Sequence, residues 1–200
     1  MNYLKDKRLR ALYSKLTTLA DECIDELRDI GIYEDISPNI TYEVNTRAKN
    51  RLGVCRHRRG SEYYTYHIIG ISDWVLEKFS NHDIKNVIIH ELLHTIEGCN
   101  NHGYKWRDYA NAVNYRTNYC ITRTENIKDL CIRNGVDYEE FNNDMYKYEI
   151  TCKKCGAVWH KHKLLGRHLL YYKSGNMTHR ACGGKEFMIK DIKLGKVIVE

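Results

Sequence analysis

Hydrophobic residues recur at three- and four-residue steps through residues 2–30. They are Leu9, Leu12, Leu16, Leu19, Cys23 and Leu27. This spacing gathers apolar side chains on one face of a helix, so we predict an amphipathic helix over residues 2–30. Gly31 follows it as a C-cap.

The pattern then changes to alternation. Residues 39–46 alternate and are rich in β-branched types, which predicts a strand. Two further strands are predicted around a turn, at residues 51–58 and 63–71. Helical spacing returns in a short segment at 74–79 and in a longer helix from Asn81 to near Gly98.

The rest of the chain separates into two regions. Helices are predicted at 104–118, 127–133 and 138–145, whereas residues 149–200 carry short strands, glycines and paired cysteines. We therefore predict an α+β chain with two domains, residues 1–147 and 148–200.

Composition narrows the class of protein. The 200 residues are 42% hydrophobic and 29% charged, which is typical of a soluble globular chain. No apolar run approaches the roughly 20 residues of a membrane helix, and the charged N-terminus lacks a signal-peptide core. We expect a cytoplasmic protein with no membrane partner, whose eight cysteines are thiols or metal ligands.

Charge is unevenly distributed along the chain. Residues 151–200 hold 11 Lys/Arg against 3 Asp/Glu, a balance of +8, and residues 1–150 hold 21 against 23, a balance of −2. This asymmetry indicates a polyanionic partner for the C-terminal region.

The strongest chemical signal is the segment His90-Glu91-Leu92-Leu93-His94. Histidines four residues apart on a helix share one face and can bind one metal ion. Glu91 can accept the proton of a water that zinc activates. The alternative is two ordinary histidines on a core helix.

A catalytic zinc needs a third protein ligand. His102 is the best candidate, because the turn-forming Asn100-Asn101 lets the chain double back. Glu125 is the alternative further downstream, and His102 could also be a surface-loop residue. The metzincin pattern is not met, since Glu97 and Asn100 stand where it requires Gly and His.

A second metal site is predicted at Cys152-Lys153-Lys154-Cys155-Gly156, a Cys-x-x-Cys-Gly turn. Two thiolates need two partners to complete a tetrahedron, and Cys182 with His179 can supply them. A closed site of this kind stabilises the fold and does no catalysis. The other candidates for the fourth ligand are His160, His162 and His168.

Cationic and aromatic residues interleave in the same C-terminal region. Cations follow phosphates and aromatic rings stack on exposed bases, so single strands or junctions are plausible ligands. A solvated cationic surface and an acidic protein partner are the alternatives. The candidate nucleic-acid-binding residues are Lys153, Lys154, Trp159, Lys161, Lys163 and Arg167.

The zinc-binding segment followed by His102-Gly103-Tyr104-Lys105-Trp106 resembles the SprT-like (Spartan-type) zinc metallopeptidases. In that family a zinc-binding helix is followed by a His-Gly-x-x-aromatic segment that supplies the third ligand. The resemblance covers about residues 5–118 and 149–190, and residues 119–147 match nothing in it. It implies a zincin-like metallopeptidase domain followed by a small β zinc ribbon, although family ribbons often have four cysteines where this chain has His179.

The resemblance also implies site residues and a function. His90, His94 and His102 would bind a catalytic Zn²⁺, Glu91 would be the base, and a structural Zn²⁺ would occupy the ribbon. We expect a monomeric zinc metalloendopeptidase that hydrolyses DNA-associated or DNA-crosslinked proteins, in the context of DNA repair. The alternative is a non-catalytic DNA-binding adaptor with two structural zinc sites.

Overall fold

A computed structural model describes residues 6–48, 50–59 and 65–199. The chain forms two compact units, residues 1–136 and 137–200. The division between them lies before the expected boundary at residue 147, because the helix at 138–145 belongs to the second unit. Helices and sheets are mixed in the α+β manner.

The first unit begins with the long amphipathic helix. α1 (Lys7–Asp29) is capped by Asp6, whose side chain accepts hydrogen bonds from two backbone N–H groups of the first turn. It ends before Gly31, which has a φ of 75° that favours glycine. The helical stripe is buried as predicted, and residues 2–5 of the predicted helix lie outside the described residues.

Three strands form the sheet of the first unit. β1 (Ile40–Asn45), β2 (Gly53–Arg59) and β3 (Thr65–Ser72) are arranged in the order β1-β3-β2. β1 runs parallel to β3, and β2 runs antiparallel to it. The three predicted strands are confirmed, although residues 60–64 lie outside the described part.

Strand β2 forms one edge of this sheet. The Ser72 N–H donates to the Leu52 carbonyl at 3.0 Å, which makes this a hydrogen-bonded pair of the antiparallel ladder. Hydrogen-bonded and non-hydrogen-bonded pairs alternate along an antiparallel ladder, so every second residue of β2 directs its N–H and carbonyl away from β3. The backbone groups of Gly53, Cys55 and His57 therefore point away from β3.

Four helices follow the sheet. They are α2 (Asp73–Lys78), α3 (Asn81–Leu93), α4 (Tyr104–Arg116) and α5 (Ile127–Arg133). α3 packs against α1, β2 and β3 and buries Ile88, Ile89, Leu92 and Leu93. α3 ends at Leu93, earlier than predicted, because Thr95 turns back and bonds the Leu92 carbonyl through both its N–H and its hydroxyl.

The second unit contains α6 (Tyr138–Met145) and an antiparallel sheet in the order β5-β4-β6-β7. Its strands are β4 (Tyr148–Cys152), β5 (Val158–Lys161), β6 (Phe187–Asp191) and β7 (Lys196–Val199), with α7 (Gly166–Lys173) between β5 and β6. Ile150, Phe187 and Ile189 form the core with Tyr172 of α7. α7 was not predicted, because it buries few side chains and shows little periodicity.

None of the helices in the described residues is long and apolar enough to span a membrane.

Candidate metal centres

Three histidine side chains converge at the end of α3. The Nε2 atom of His102 lies 3.0 Å from Nε2 of His90 and 3.2 Å from Nε2 of His94. α3 presents His90 and His94 one turn apart, and the turn after Gly98 returns His102 to them. Nitrogens bound to one tetrahedral zinc lie about 3.3 Å apart, so this donor set fits the ion.

Backbone carbonyls orient two of these rings. His90 Nδ1 donates to the Thr122 carbonyl at 3.0 Å, and His94 Nδ1 donates to the Cys99 carbonyl at 2.7 Å. A proton on Nδ1 leaves the lone pair on Nε2. Lone pairs of His90 and His94 thus face a common point, an arrangement that a cation stabilises.

Burial keeps these rings neutral. It lowers the pKa of His90 to about 3, with further lowering by His94 and His102. It also lowers the pKa of His94 and of His102. Neutral imidazole is the form that binds metal.

Trp106 packs against all three histidines. Its ring centroid lies 4.6–5.5 Å from theirs, and the residue is only 1% exposed. The indole ring therefore forms one side of the histidine cluster. Its indole N–H has no acceptor among the described residues.

Glu91 lies beside the histidine cluster and faces strand β2. Its carboxylate accepts a hydrogen bond from the outward-pointing Cys55 N–H, and burial raises its pKa to about 8. A Cβ at position 53 would lie 2.7 Å from Glu91 Oε1 and 2.9 Å from Val87 Cγ1, so any larger residue than glycine would displace these side chains.

The loop after α4 supplies the carbonyl that holds His90, a role the sequence did not predict. Asn114 of α4 accepts from the Ile121 N–H at 2.6 Å and donates to the Ile121 carbonyl at 2.9 Å. Asn86 of α3 accepts from the Cys120 N–H at 2.9 Å. We call Asn86 and Asn114 the asparagine clamp.

A cavity of about 280 Å³ opens between β2, α3 and this loop. His90, Glu91 and Gly53 line it, and so do Arg51 and Arg123. The cavity leaves room for a substrate beside the histidine cluster.

Glu125 lines the same cavity but does not join the histidine cluster. It forms an ion pair with Arg133 at 3.3 Å instead. Burial raises its pKa, and Arg133 opposes that rise. The geometry therefore favours His102 over Glu125 as the third ligand.

The predicted ligands of the second unit also meet. Cys155 Sγ lies 3.3 Å and Cys182 Sγ 3.2 Å from His179 Nδ1, and Cys152 Sγ lies 3.6 Å from Cys182 Sγ. The sulfur–sulfur distance is far beyond the roughly 2.05 Å of a disulfide and close to an edge of a zinc tetrahedron.

The surroundings of these four residues fit a metal. A Cβ at Gly184 would lie 2.7 Å from Cys152 Sγ and 3.2 Å from Cys182 Sγ, so glycine leaves the sulfurs room. Burial raises the pKa of the Cys152 thiol, but hydrogen bonds from the backbone N–H groups of Cys155 and Lys154 lower it by more. The net pKa of Cys152 is therefore lowered, which favours the thiolate that binds metal.

The other three candidates for this fourth ligand lie elsewhere. His160 stacks on Tyr146 and lies 3.4 Å from the Glu149 carboxylate. His162 also stacks on Tyr146, and His168 is exposed on α7.

The predicted nucleic-acid residues of the second unit differ in exposure. Trp159 is half-buried, stacked on His179 and edge-on to Phe187. The cationic members are all exposed. They are Lys153, Lys154, Lys161, Lys163 and Arg167.

Comparison with known families agrees with the histidine cluster. The sequence model of the SprT-like family matches residues 20–125, more than half of the chain. The chain belongs to the SprT-like family. The match includes His90 to His102 and continues through residues 119–125, which lie outside the resemblance carried by the motifs. It ends before the second unit, and no curated protein matches the chain.

Proposed function

We propose that this SprT-like chain is a zinc-dependent endopeptidase, with a zincin-like first unit and a zinc ribbon in the second. The observation that carries the proposal is the convergence of three imidazole Nε2 atoms next to a buried carboxylate, Glu91. Three nitrogen ligands and an accessible cavity are typical of a catalytic rather than a structural zinc site.

His90, His94 and His102 would hold the ion through Nε2. Bound zinc would supply Lewis acidity toward a peptide carbonyl and would acidify a water molecule. The Thr122 and Cys99 carbonyls keep the first two rings in the tautomer that this binding requires.

Glu91 would be the general base and then the general acid. A carboxylate in a buried site has a raised pKa and is therefore a stronger base than one in water. It would take the proton of the attacking water and deliver it to the leaving amine. Gly53 and Val87 restrict where the carboxylate can lie.

The substrate would lie along the open edge of β2. The backbone groups of Gly53 and His57 and the carbonyl of Cys55 point outward there, whereas the Cys55 N–H donates to Glu91; Gly53 also lines the cavity beside Glu91. An extended peptide can pair with such an edge through main-chain hydrogen bonds. This mode would accept many protein sequences.

DNA-associated proteins are the proposed substrates. Support comes from the charge balance of +8 over residues 151–200 and from the exposure of five cationic candidates in the second unit. Cationic surfaces bind phosphates by releasing counterions. The half-buried Trp159 makes phosphate contacts a larger part of the proposed binding than base stacking.

The adaptor alternative is less favoured because of Glu91. Glu91 lies beside the histidine cluster and lines the open cavity, a position that suits proton transfer to a substrate better than a closed structural site. An adaptor would bind DNA unchanged after Glu91→Gln and would cleave nothing.

The peptidase proposal is tested with the purified full chain and casein. Cleavage should stop when a chelator removes zinc and return when zinc is added back. Persistent cleavage by metal-free protein, or no cleavage with zinc restored and single-stranded DNA present, would overturn it.

DNA binding is tested separately by fluorescence anisotropy with single-stranded, junction and duplex DNA. Replacing Lys161 and Lys163 with Ala should weaken binding and reduce the salt slope by about 2. The matched control replaces the exposed Lys7 and Arg10 of α1 and should leave binding unchanged. Equal effects in both double variants would reject a DNA surface on the second unit.

A further inference from the structure

A third group of metal-ligand side chains lies on the sheet of the first unit. Cys55 and His57 are two residues apart on β2, so both side chains lie on the same face. His67 of β3 is the direct cross-strand partner of His57 and lies on that face too. Sheet register thus brings the three side chains together.

Their donor atoms are close enough to share one ion. His57 Nδ1 lies 3.1 Å from His67 Nδ1, and Cys55 Sγ lies 3.9 Å from His67 Nδ1. On a zinc tetrahedron, two nitrogens lie about 3.3 Å apart and a sulfur and a nitrogen about 3.6 Å apart. Shifts of a few tenths of an ångström would complete the geometry.

This cluster shares no ligand with the two sites described above. Its histidines open into a different cavity, of about 510 Å³, which also contains Glu34, Asp35 and Glu97. These three acidic residues are exposed, and their charge favours the approach of a cation.

The burial of the three side chains suits an exchangeable metal site. His67 is 6% exposed and held in place, Cys55 is half-buried, and His57 is exposed. The short His57–His67 contact and the Cys55 sulfur near the same His67 nitrogen together place three ligand atoms around one point, as a bound cation requires. Three protein ligands leave one coordination position for water or an exogenous ligand.

We propose that Cys55, His57 and His67 form a binding site for Zn²⁺ or a similar thiophilic divalent cation. Thiolate with imidazole selects such ions over Mg²⁺ and Ca²⁺, which prefer oxygen ligands. With three ligands instead of four, the site binds more weakly than the Cys152 cluster. The proposal is independent of peptidase activity.

The test is zinc stoichiometry of the full chain, measured by chelator competition and elemental analysis. Wild type should bind three equivalents, one for each cluster, the weakest being lost first. Cys55→Ser and His67→Gln should each bind two. Cys120→Ser removes an exposed thiol outside the three clusters and should still bind three.

Cobalt substitution supplies a second readout that does not depend on the number of zinc equivalents bound. The difference spectrum between wild type and Cys55→Ser should contain a sulfur-to-cobalt charge-transfer band. Cys55→Ser is nearly isosteric, and two retained equivalents would show that the other sites are folded. The proposal is overturned if Cys55→Ser still binds three equivalents of zinc, or if the cobalt difference spectrum between wild type and Cys55→Ser is flat. It is also overturned if Cys120→Ser loses one equivalent of zinc, as Cys55→Ser does.

Discussion

His90 donates its Nδ1 hydrogen to the backbone carbonyl of Thr122, 3.0 Å away and 32 residues later in the chain. The histidine thereby presents Nε2 to the cluster, and the loop that carries Thr122 is part of the candidate zinc site. The asparagine clamp holds this loop against α3 and α4.

Asn114→Ala should therefore weaken zinc binding at the histidine cluster. Outer-shell changes typically cost 10–100-fold in metal affinity, and we expect about tenfold here. The measurement is competition with a chelator of known affinity. Asn111→Ala changes an exposed asparagine of the same helix and should leave the affinity unchanged. Equal affinity in both variants would mean that the loop does not position His90.

Gly53→Ala should impair catalysis without removing zinc. The new Cβ would meet Glu91 Oε1 and Val87 Cγ1, so the carboxylate must move. A shift of about 1 Å can lower the rate about 100-fold. Casein cleavage is measured beside Gly166→Ala, whose Cβ meets nothing within 4 Å. A fully active Gly53→Ala enzyme would argue against this position for Glu91.

Asp83 should be a main stabilising residue of the first unit. Its buried carboxylate accepts hydrogen bonds from Arg133, from Asn134 at 2.7 Å and from Ser80 at 2.9 Å, and so joins α3 to α5. Asp83→Ala should cost about 2–3 kcal/mol in denaturant unfolding, less than for a fully buried pair because Arg133 is half-exposed. Asp25→Ala, which breaks an exposed pair with Arg28, should leave the free energy of unfolding almost unchanged.

The same contact predicts a pH dependence. Burial raises the pKa of Asp83, but the bonds from Arg133, Asn134 and Ser80 outweigh it, and the net pKa is lowered. A lowered folded pKa means stability that is complete above the ordinary value of about 3.8 and is lost as pH falls through the folded value. The difference in unfolding free energy between wild type and Asp83→Ala should shrink below about pH 4. A constant difference would contradict the ion pair.

Cys155→Ser should weaken zinc binding by the second unit. Losing a direct ligand should lower zinc affinity more than about 100-fold, since even outer-shell changes reach that range. His160→Ala changes a histidine that pairs with Glu149 instead, and it should keep the metal. If His160→Ala lost zinc and His179→Ala did not, the assignment of the fourth ligand would be wrong.

Features set by local sequence patterns could be predicted, whereas features that depend on long-range contacts could not. The α1 stripe, the three strands of the first unit and the spacing of His90 and His94 are set by neighbours a few residues apart, so periodicity reveals them. The Thr122 carbonyl has no side-chain signature, and its contact with His90 depends on tertiary packing. The grouping of Cys55 with His67 depends on strand register, which alternation alone does not specify.

The second unit was the harder part to predict. Its cysteine spacing predicted the group of Cys152, Cys155, His179 and Cys182, which the structure brings together. α7 was missed because a short helix with one fully packed aromatic, Tyr172, resembles a polar loop in sequence. The candidate Trp159 stacks within its own unit, a contact that composition could not reveal.

The most direct test of the central claim compares Glu91→Gln with wild type for casein cleavage and zinc content in the same samples. Glu139→Gln is the matched control, because Glu139 is an exposed glutamate outside the three metal-ligand clusters. Loss of a general base should lower the cleavage rate about 100-fold or more, with zinc content unchanged. Equal cleavage by Glu91→Gln and wild type, with equal zinc, would contradict a peptidase mechanism based on Glu91.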